Sequence, residues 1–519
     1  MRYFNVAGPC NKADHYMIEA ASRLHGVERL IDTKQYFVIH AARQSGKTTY
    51  LKDLARRLNA SGEYYALYCS LEIAQGINDP KDGIPSIVKK IKYAVDMSEI
   101  PSKNGFAESA DYADYANVLN KELSIFCRQL DKPLVILFDE ADCLSEGTLI
   151  TFLRQLRDGY VNRAEIPFVH SLALVGMRNI RDFKARVRPE RDTLGSASPF
   201  NIVTESLTLK NFTQDEICAL YRQHTDETGQ FFDEGAVELV HEQTQGQPWL
   251  VNAIAREVVE KQLGGDYARA VTAAMVEKAI QTIILRRDTH IDSLLERLKE
   301  ERVRRVIEPI IMGEDYIDQL SDDYQYVRDL GLIREYDDKQ LEPASPIYAE
   351  VIARTLTYNM QNVLTRNDNT YQLPRYMKDG RIDMDCLMRD FQQFWRENSD
   401  IWLQRFDYKE AAPHLILMAF LQRVINGGGQ ILREMAAGRG RLDLCVVYGG
   451  WKYPIEIKLR RGEKTRVQGV EQTLRYMDVY GAAEGWLAIF DRSEGKSWDE
   501  KIFMEKETLG DKTVTVVGL

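Results

Sequence analysis

A strand, a glycine-containing loop and a helix follow one another near the amino terminus of this chain. The apolar run Tyr36–His40 has the composition of a buried strand, residues 41–48 have the sequence Ala-Ala-Arg-Gln-Ser-Gly-Lys-Thr, and a helical pattern begins at residue 50. Backbone amides in such a loop, and the amino terminus of the helix after it, face phosphate groups because partial positive charge collects there. The order predicts a P-loop.

In this loop Lys47 is predicted to reach the β- and γ-phosphates of ATP, and the Thr48 hydroxyl to hold Mg²⁺. Position 41 departs from the usual pattern, because alanine stands where glycine is usual and tolerates positive φ poorly. The predicted nucleotide contacts within the loop and the start of the helix are Ala42, Arg43, Gln44, Ser45, Gly46, Lys47, Thr48 and Thr49.

A second apolar run, at residues 134–138, delivers two carboxylates to the end of a predicted strand. Asp139 is predicted to order the Mg²⁺ shell, and Glu140 to act catalytically by polarising the attacking water. An apolar run before Asp-Glu is weak evidence alone, but it lies about 90 residues after the P-loop, where the second half of an ATP site is expected.

These features resemble the AAA-type ATPases, in the prokaryotic AAA-like branch near the signal-transducing P-loop ATPases, over roughly residues 4–357. The residues that carry the resemblance lie at 37–49, 138–140, 174–179 and 246–250. The resemblance implies ATP hydrolysis, a polar sensor at Arg178 or Asn179, and a homo-oligomer that completes the ATP site. It also implies that the Gly246-Gln-Pro248 turn opens a lid helix near the nucleotide, although proline is equally ordinary in a first helical turn.

Strands alternating with helices predict an α/β fold with a parallel sheet. The expected order is an ATPase core at 1–209, a helical lid at 210–300, a winged-helix-like unit at 301–360, a linker at 361–376 and a second α/β domain at 377–519. Residues 4–16 are open to two interpretations, adenine contact or a surface arm that packs on the lid. The winged-helix-like unit is acidic, which favours an interdomain role over DNA reading.

A second constellation of charged residues lies in the last 90 residues. Asp443 begins a predicted strand, and Glu456-Ile-Lys458 lies in the next one after a Gly-Gly turn. Glu456 and Lys458 share a strand face because side chains alternate with a period of two. Two carboxylates can bring one or two Mg²⁺ ions to one point, where a metal activates water, and lysine can orient that water.

The order of these elements resembles the RecB-type branch of the PD-(D/E)XK nuclease superfamily, which folds like restriction endonucleases, over roughly residues 377–502. The resemblance implies a magnesium-dependent, or manganese-dependent, deoxyribonuclease. The implied site residues are the metal ligands Glu434, Asp443 and Glu456, with Lys458, Gln472 and Tyr476. Two alternatives stay open: these charges lie on an ordinary exposed strand face, or the domain is an inactive relative that only binds.

A net charge of −10 excludes a general polyanion binder, so any DNA contact needs a local basic patch. Such a patch is predicted around the second site, although a solvated loop is the alternative. The cysteines lack metal spacing, and no apolar run spans a membrane, so a cytoplasmic protein is expected. The members of the predicted basic patch are Arg439, Arg441, Lys458, Arg460, Arg461, Lys464 and Arg466.

Together these features predict an ATP-driven conformational switch coupled to a DNA phosphodiesterase site. A role in defence or mobile-element biology is a weaker hypothesis, since it depends on the two resemblances alone. The alternative is a nucleotide-switched protein whose nuclease-like domain binds nucleic acid or a partner without cutting.

Overall fold

The computed structural model of this chain forms two compact units. The first unit comprises Met1–His290 and Leu320–Leu332, and the second comprises Ile291–Gln319 and Ile333–Leu519. The structure describes residues 1–19, 23–101, 105–177, 202–286, 289–311, 321–336, 340–352, 354–356, 373–403, 412–425, 430–432, 444–460, 462, 464–491, 493 and 495–519.

The first unit contains a parallel sheet, as the sequence predicts, and this sheet has five strands. Their order is β2-β3-β4-β1-β5, so β1 lies between β4 and β5, and β3 lies between β2 and β4. Since all five run in the same direction, their carboxyl ends meet at one edge. The strands are β1 (Tyr36–His40), β2 (Tyr65–Ser70), β3 (Leu134–Asp139), β4 (Ser171–Gly176) and β5 (Val203–Thr208).

Helices cover both faces of this sheet. Tyr36 and Val38 of β1 face one hydrophobic cluster, and Phe37 and Ile39 face the other, so the strand is buried on both sides. This explains why its sequence is a continuous apolar run. Helices α1 (Val27–Asp32) and α2 (Lys47–Ser61) pack on the face that contains Phe37 and Ile39. Helices α3 (Pro80–Asp96), α4 (Val118–Gln129) and α5 (Glu146–Asn162) pack on the face that contains Tyr36 and Val38.

A helical region follows β5. It begins at a capping box, in which the Thr213 hydroxyl accepts from the Glu216 backbone amide and the Glu216 carboxylate accepts from the Thr213 backbone amide. The amino-terminal arm packs against it, since Phe4 and Tyr16 contact His224. The helices are α6 (Gln214–Thr228), α7 (Glu234–Thr244), α8 (Pro248–Arg256), which continues into a π-helical turn (Glu257–Gln262), and α9 (Ala273–Arg286).

Three helices and a hairpin come next. The helices are α10 (Thr289–Arg297), α11 (Glu301–Ile311) and α12 (Asp322–Asp329), and the antiparallel hairpin consists of β6 (Ile333–Tyr336) and β7 (Gln340–Pro343). Helix α12 belongs to the first unit, where Gly331, just after it, lies against Ala42 of the P-loop. The hairpin belongs to the second unit.

The second unit contains a mixed sheet of six strands in the order β10-β11-β12-β13-β15-β14. Helices α13 (Met384–Leu403) and α14 (Ala412–Ile425) contribute to the main hydrophobic cluster on one face of it, and α15 (Lys464–Tyr480) packs on the other. A two-stranded ribbon, β8 (Met377–Lys378) and β9 (Arg381–Ile382), precedes α13. The strands of the large sheet are β10 (Gln430–Leu432), β11 (Leu444–Tyr448), β12 (Trp451–Leu459), β13 (Glu484–Phe490), β14 (Phe503–Leu509) and β15 (Lys512–Gly518).

The described residues therefore form an α/β structure with a five-stranded parallel sheet, a six-stranded mixed sheet and two two-stranded ribbons. Within the described ranges, no helix combines the length and the apolar character needed to span a membrane.

Candidate functional site

The P-loop lies at the carboxyl edge of the parallel sheet, between β1 and α2. Gly46, the N-cap of α2, has a φ of 93°, and Gln44 has a φ of 58°. Ala41 is not among the residues with positive φ, so alanine is unstrained where the motif usually has glycine. The left-handed turns of this loop are thus made at Gln44 and Gly46.

Lys47 is buried, and its ammonium group bridges the two ends of the loop. Its Nζ donates to the backbone carbonyls of Ala41, at 2.9 Å, and Ala42, at 3.0 Å. Burial lowers the pKa of Lys47, and the nearby carboxylates of Glu140, Asp142 and Asp139 oppose that shift. Phosphate oxygens accept stronger hydrogen bonds from an ammonium group than neutral carbonyls do, because both partners are then charged.

Asp139, at the end of β3, is fully enclosed and oriented by three donors. Its Oδ2 accepts from the Thr48 hydroxyl at 2.6 Å and from the Tyr68 hydroxyl at 3.1 Å. Its Oδ1 accepts from the Glu140 backbone amide at 3.0 Å. The structure therefore brings together Thr48 and Asp139, the two residues predicted to hold Mg²⁺.

Glu140 follows Asp139 in a left-handed conformation, with a φ of 55°. Burial raises the pKa of Glu140, and the charge of Asp139 raises it further, while Lys47 lowers it. Such an environment suits a carboxylate that accepts a proton. Beyond it, Asp142 accepts from the Met177 backbone amide at 3.0 Å and so ties β3 to the end of β4.

The amino-terminal arm connects the P-loop helix with the helical region after β5. The Cys10 backbone amide donates to the Thr49 hydroxyl at 3.0 Å, and the Trp249 indole donates to the Val6 carbonyl at 2.9 Å. The two interpretations of this arm are therefore not exclusive: it packs on the helices and also borders the P-loop.

The Gly-Gln-Pro turn contacts the P-loop through Gln247, its middle residue. Gln247 caps α8 by accepting from the Leu250 amide at 2.7 Å, and its Nε2 donates to the Arg43 carbonyl at 3.4 Å. Gly246, with a φ of 70°, lies so close to the Phe212 carbonyl that a Cβ cannot fit. Pro248 is the buried first residue of α8. The sensor candidates at positions 178 and 179 lie outside the described residues.

Arg23 is a further residue at the P-loop that sequence reasoning missed. It is buried, and its guanidinium donates to the carbonyls of Ser45, at 2.8 Å, and Lys210, at 2.7 Å from Nε. Burial lowers the pKa of Arg23 to about 10. The Ser45 hydroxyl is buried and has no hydrogen-bond partner among the described residues. No sequence motif marks Arg23, because its partners are backbone carbonyls.

The second candidate site lies on β12, on the face that α15 covers. Lys458 Nζ is 2.6 Å from Glu456 Oε1; the glutamate is fully buried and the lysine is 29 % exposed. In the parallel pairing of β12 with β13, Glu456 lies beside Leu487 and Lys458 beside Ile489. Leu487 and Ile489 both pack against α15. Because neighbours in a sheet point to the same side, Glu456 and Lys458 share one strand face, as predicted.

Gln472 and Tyr476 are on α15, the helix above that face. Tyr476 is buried against Cys445 of β11, and Gln472 Oε1 is a buried oxygen with no partner in the described part of the chain. Positions 434 and 443, the other two predicted metal ligands, lie outside the described residues. Within the ranges that the structure describes, no three His, Cys, Asp or Glu side chains form a group that could hold a metal.

Of the predicted basic patch, Lys458, Arg460 and Arg466 are paired with carboxylates, whereas positions 439, 441 and 461 lie outside the described residues. Arg460 lies 3.3 Å from Asp491, and Arg466 contacts Glu505 and Glu507 at 2.6 Å each. Burial opposes the ionisation of Asp491, but hydrogen bonds from Lys496 and Ser493 and the lysine's charge hold the pKa of this carboxyl far below its usual range. Ion pairing therefore reduces the positive charge that these arginines offer to a phosphate backbone.

No family model matches this chain, and no curated protein matches it. Solved structures similar to it include the Walker-type ATPase PABY2304 of Pyrococcus abyssi, with a TM-score of 0.48 and 14 % identity over 67 % of this chain and 99 % of that one. The RuvB Holliday junction branch migration motor of Thermotoga maritima has a TM-score of 0.33 and 14 % identity over 63 % and 90 %. Cdc6p of Pyrobaculum aerophilum has a TM-score of 0.33 and 14 % identity over 62 % and 88 %.

Proposed function

We propose that the first unit binds ATP with Mg²⁺ and hydrolyses it. The observation that carries this proposal is the convergence of the Lys47 ammonium, the Thr48 hydroxyl and the buried Asp139 carboxylate at one edge of the parallel sheet. A strand, a P-loop and a helix in this order present backbone amides to phosphate, and the carboxylate at the end of β3 adds oxygen ligands that suit magnesium.

The residues present fit a magnesium-bound triphosphate. Thr48 and Asp139 would hold the ion, which supplies charge neutralisation at the phosphates. Lys47 exchanges its two carbonyl partners for phosphate oxygens, and Glu140 accepts a proton from the attacking water. Residues 6–10, which lie between Thr49 and Trp249, border the place where we expect the adenine.

The test of nucleotide binding compares two lysines. Lys47→Ala is expected to weaken binding of a fluorescent ATP analogue by about 100-fold, as charge-assisted hydrogen bonds to phosphate are lost. Lys121→Ala, on the exposed side of α4, should leave the affinity unchanged. Equal affinities for the wild type and the Lys47 variant would exclude this site.

We also propose that the second unit is a metal-dependent DNA phosphodiesterase that the ATPase controls. The supporting observation is that Glu456 is fully buried yet ion-paired with Lys458 on one strand face. A buried charged pair is costly, which makes it a candidate for chemistry rather than for solubility. In sequence, Asp443 directly precedes Leu444, the strand partner of Ile455, and it remains our candidate for the second carboxylate of this site.

The nuclease proposal is tested on linear, circular and single-stranded DNA with Mg²⁺ or Mn²⁺, with and without ATP. Lys458→Met and Glu456→Ala are expected to abolish cleavage, and Lys452→Met, on the same strand face but near its other end, should retain it. If the wild type binds DNA or a partner in an ATP-dependent way but never cuts, the alternative of a nucleotide-switched binding protein is correct.

A further inference from the structure

Asp139 has a donor that the P-loop motif does not account for. The carboxylate is 1 % exposed, and Thr48 and the Glu140 amide are the donors expected from its own motif. The third is the hydroxyl of Tyr68, on the neighbouring strand β2, which donates to Oδ2 at 3.1 Å.

The position of Tyr68 follows from the register of the sheet. In the parallel pairing of β2 with β3, Ser70 lies beside Asp139 and Tyr68 lies beside Leu137. Tyr68 is therefore two residues before the partner of Asp139 and on the same face, and a tyrosine is long enough to reach forward to the carboxylate. The Lys52 ammonium lies over its ring, 5.3 Å from the centroid, which restricts the ring further.

We infer that Tyr68 is a positioning residue for the metal site, because its hydroxyl holds the Asp139 carboxylate in the orientation that faces Thr48. This inference rests on the proposed ATPase function. Groups that hydrogen-bond to a metal-binding carboxylate fix its orientation, and their removal weakens metal binding. Tyr68 is not expected to contact the nucleotide, so its effect should appear in metal affinity and not in the affinity for metal-free nucleotide.

The chain offers a matched control on the same strand. The hydroxyl of Tyr65 donates to Asp131 at 2.9 Å, away from Asp139, so Tyr65→Phe removes a tyrosine–aspartate bond of the same kind from β2 without touching the site. Both substitutions keep the aromatic ring and delete one oxygen, so Tyr65→Phe controls for the loss of a tyrosine–aspartate hydrogen bond on β2.

The measurement is Mn²⁺ binding by electron paramagnetic resonance, in the full-length protein saturated with a non-hydrolysable ATP analogue. Tyr68→Phe should raise the Mn²⁺ concentration for half-saturation by about ten-fold or more. Tyr65→Phe should leave it unchanged, and neither variant should change the affinity for the analogue in the presence of a chelator. In an Asp139→Asn background, Tyr68→Phe should have little further effect, since the two side chains act together.

The outcomes separate this inference from the proposed function. If the wild type binds neither nucleotide nor Mn²⁺, the ATPase proposal and this inference both fail. If the wild type binds both, and Tyr68→Phe matches Tyr65→Phe in Mn²⁺ affinity, only the role of Tyr68 is refuted. A loss of metal-free nucleotide affinity in Tyr68→Phe would also overturn it, because that result indicates a general disturbance of the P-loop.

Discussion

Gly331 provides a quantitative test of how the P-loop is packed. It follows α12 with a φ of 71°, and a Cβ built on it would lie closer than 3.0 Å to the Cβ of Ala42, a separation that real Cβ atoms do not show. The same Cβ would be 3.5 Å from the Ala42 Cα, so the obstacle is a methyl group fixed to the loop backbone and not the end of a flexible side chain.

Two terms contribute to the cost of Gly331→Ala. A left-handed conformation costs an alanine about 1–2 kcal/mol. Forcing an extra methyl group into a packed site costs about 1–3 kcal/mol more, since the backbone must shift. We therefore expect the free energy of unfolding to fall by about 2–5 kcal/mol.

Gly229 is a matched control for the first term. It also ends a helix, α6, in a left-handed conformation, with a φ of 79°, but a Cβ there would meet nothing within 4 Å. Gly229→Ala should therefore cost only about 1–2 kcal/mol. The excess cost of Gly331→Ala over Gly229→Ala measures the contact with Ala42.

Urea unfolding of the full-length variants gives the difference in the free energy of unfolding, and titration with an ATP analogue gives the difference in nucleotide affinity. Gly331→Ala should weaken nucleotide binding because Ala42 belongs to the P-loop, whereas Gly229→Ala should not. Adding Ala42→Gly to Gly331→Ala removes the clashing methyl group and should recover part of both losses. Equal unfolding midpoints for the two single variants would refute the close approach of Gly331 to the loop.

Three further results are expected. Glu140→Gln should keep ATP affinity but lower turnover by at least about 100-fold, measured by phosphate release, because an amide cannot accept the proton. Arg466→Ala should leave the salt dependence of DNA binding unchanged, because its charge is already paired. The Asp491 carboxyl has a lowered pKa, so its contribution to stability is present at neutral pH and is lost as pH falls through its native pKa. Asp491→Asn should lower stability at pH 7 and flatten the acid limb in pH-dependent unfolding.

The geometry of the proposed nucleotide site was predictable from sequence where its parts are local. The P-loop residues are contiguous, and Asp139 ends an apolar strand, so parallel strand order alone predicts that Thr48 and Asp139 lie at the same edge. The hydrogen bond between them confirms that expectation. The left-handed conformation of Gln44 was not predictable, because the motif draws attention instead to position 41, where glycine is usual and this chain has alanine.

The residues that sequence reasoning missed have ordinary identities and distant partners. Tyr68 reaches an aspartate 71 positions away, and Gln247 reaches a carbonyl 204 positions away. Neither a sequence motif nor periodicity marks such contacts, because the contacts depend on strand register and on the position of α8. The Gly-Gln-Pro turn did draw attention to the right place, but through its flanking residues.

In the second unit, counting charged residues along the sequence was a poor guide to the charge of the surface. The period of two along β12 correctly placed Glu456 and Lys458 together, because alternation is a local property. The basic cluster was predicted from adjacent residues, yet the acids that pair with Arg466 are on β14, about 40 positions later in the chain. A local excess of positive charge in sequence therefore does not establish a positive surface.

The charges around Lys47 link the metal and the nucleotide in one equilibrium. Asp139, Glu140 and Asp142 all act on the Lys47 ammonium, and Arg43 is the other cation close enough to affect it. A triphosphate entering this site without a metal ion would therefore meet three carboxylates, and Lys47 and Arg43 offset only part of that negative charge. Magnesium removes that repulsion, and by linkage the nucleotide must strengthen magnesium binding by the same factor. On the proposed function, these carboxylates therefore disfavour ATP without a metal ion, and the orientation of Asp139 contributes to nucleotide affinity in the presence of magnesium.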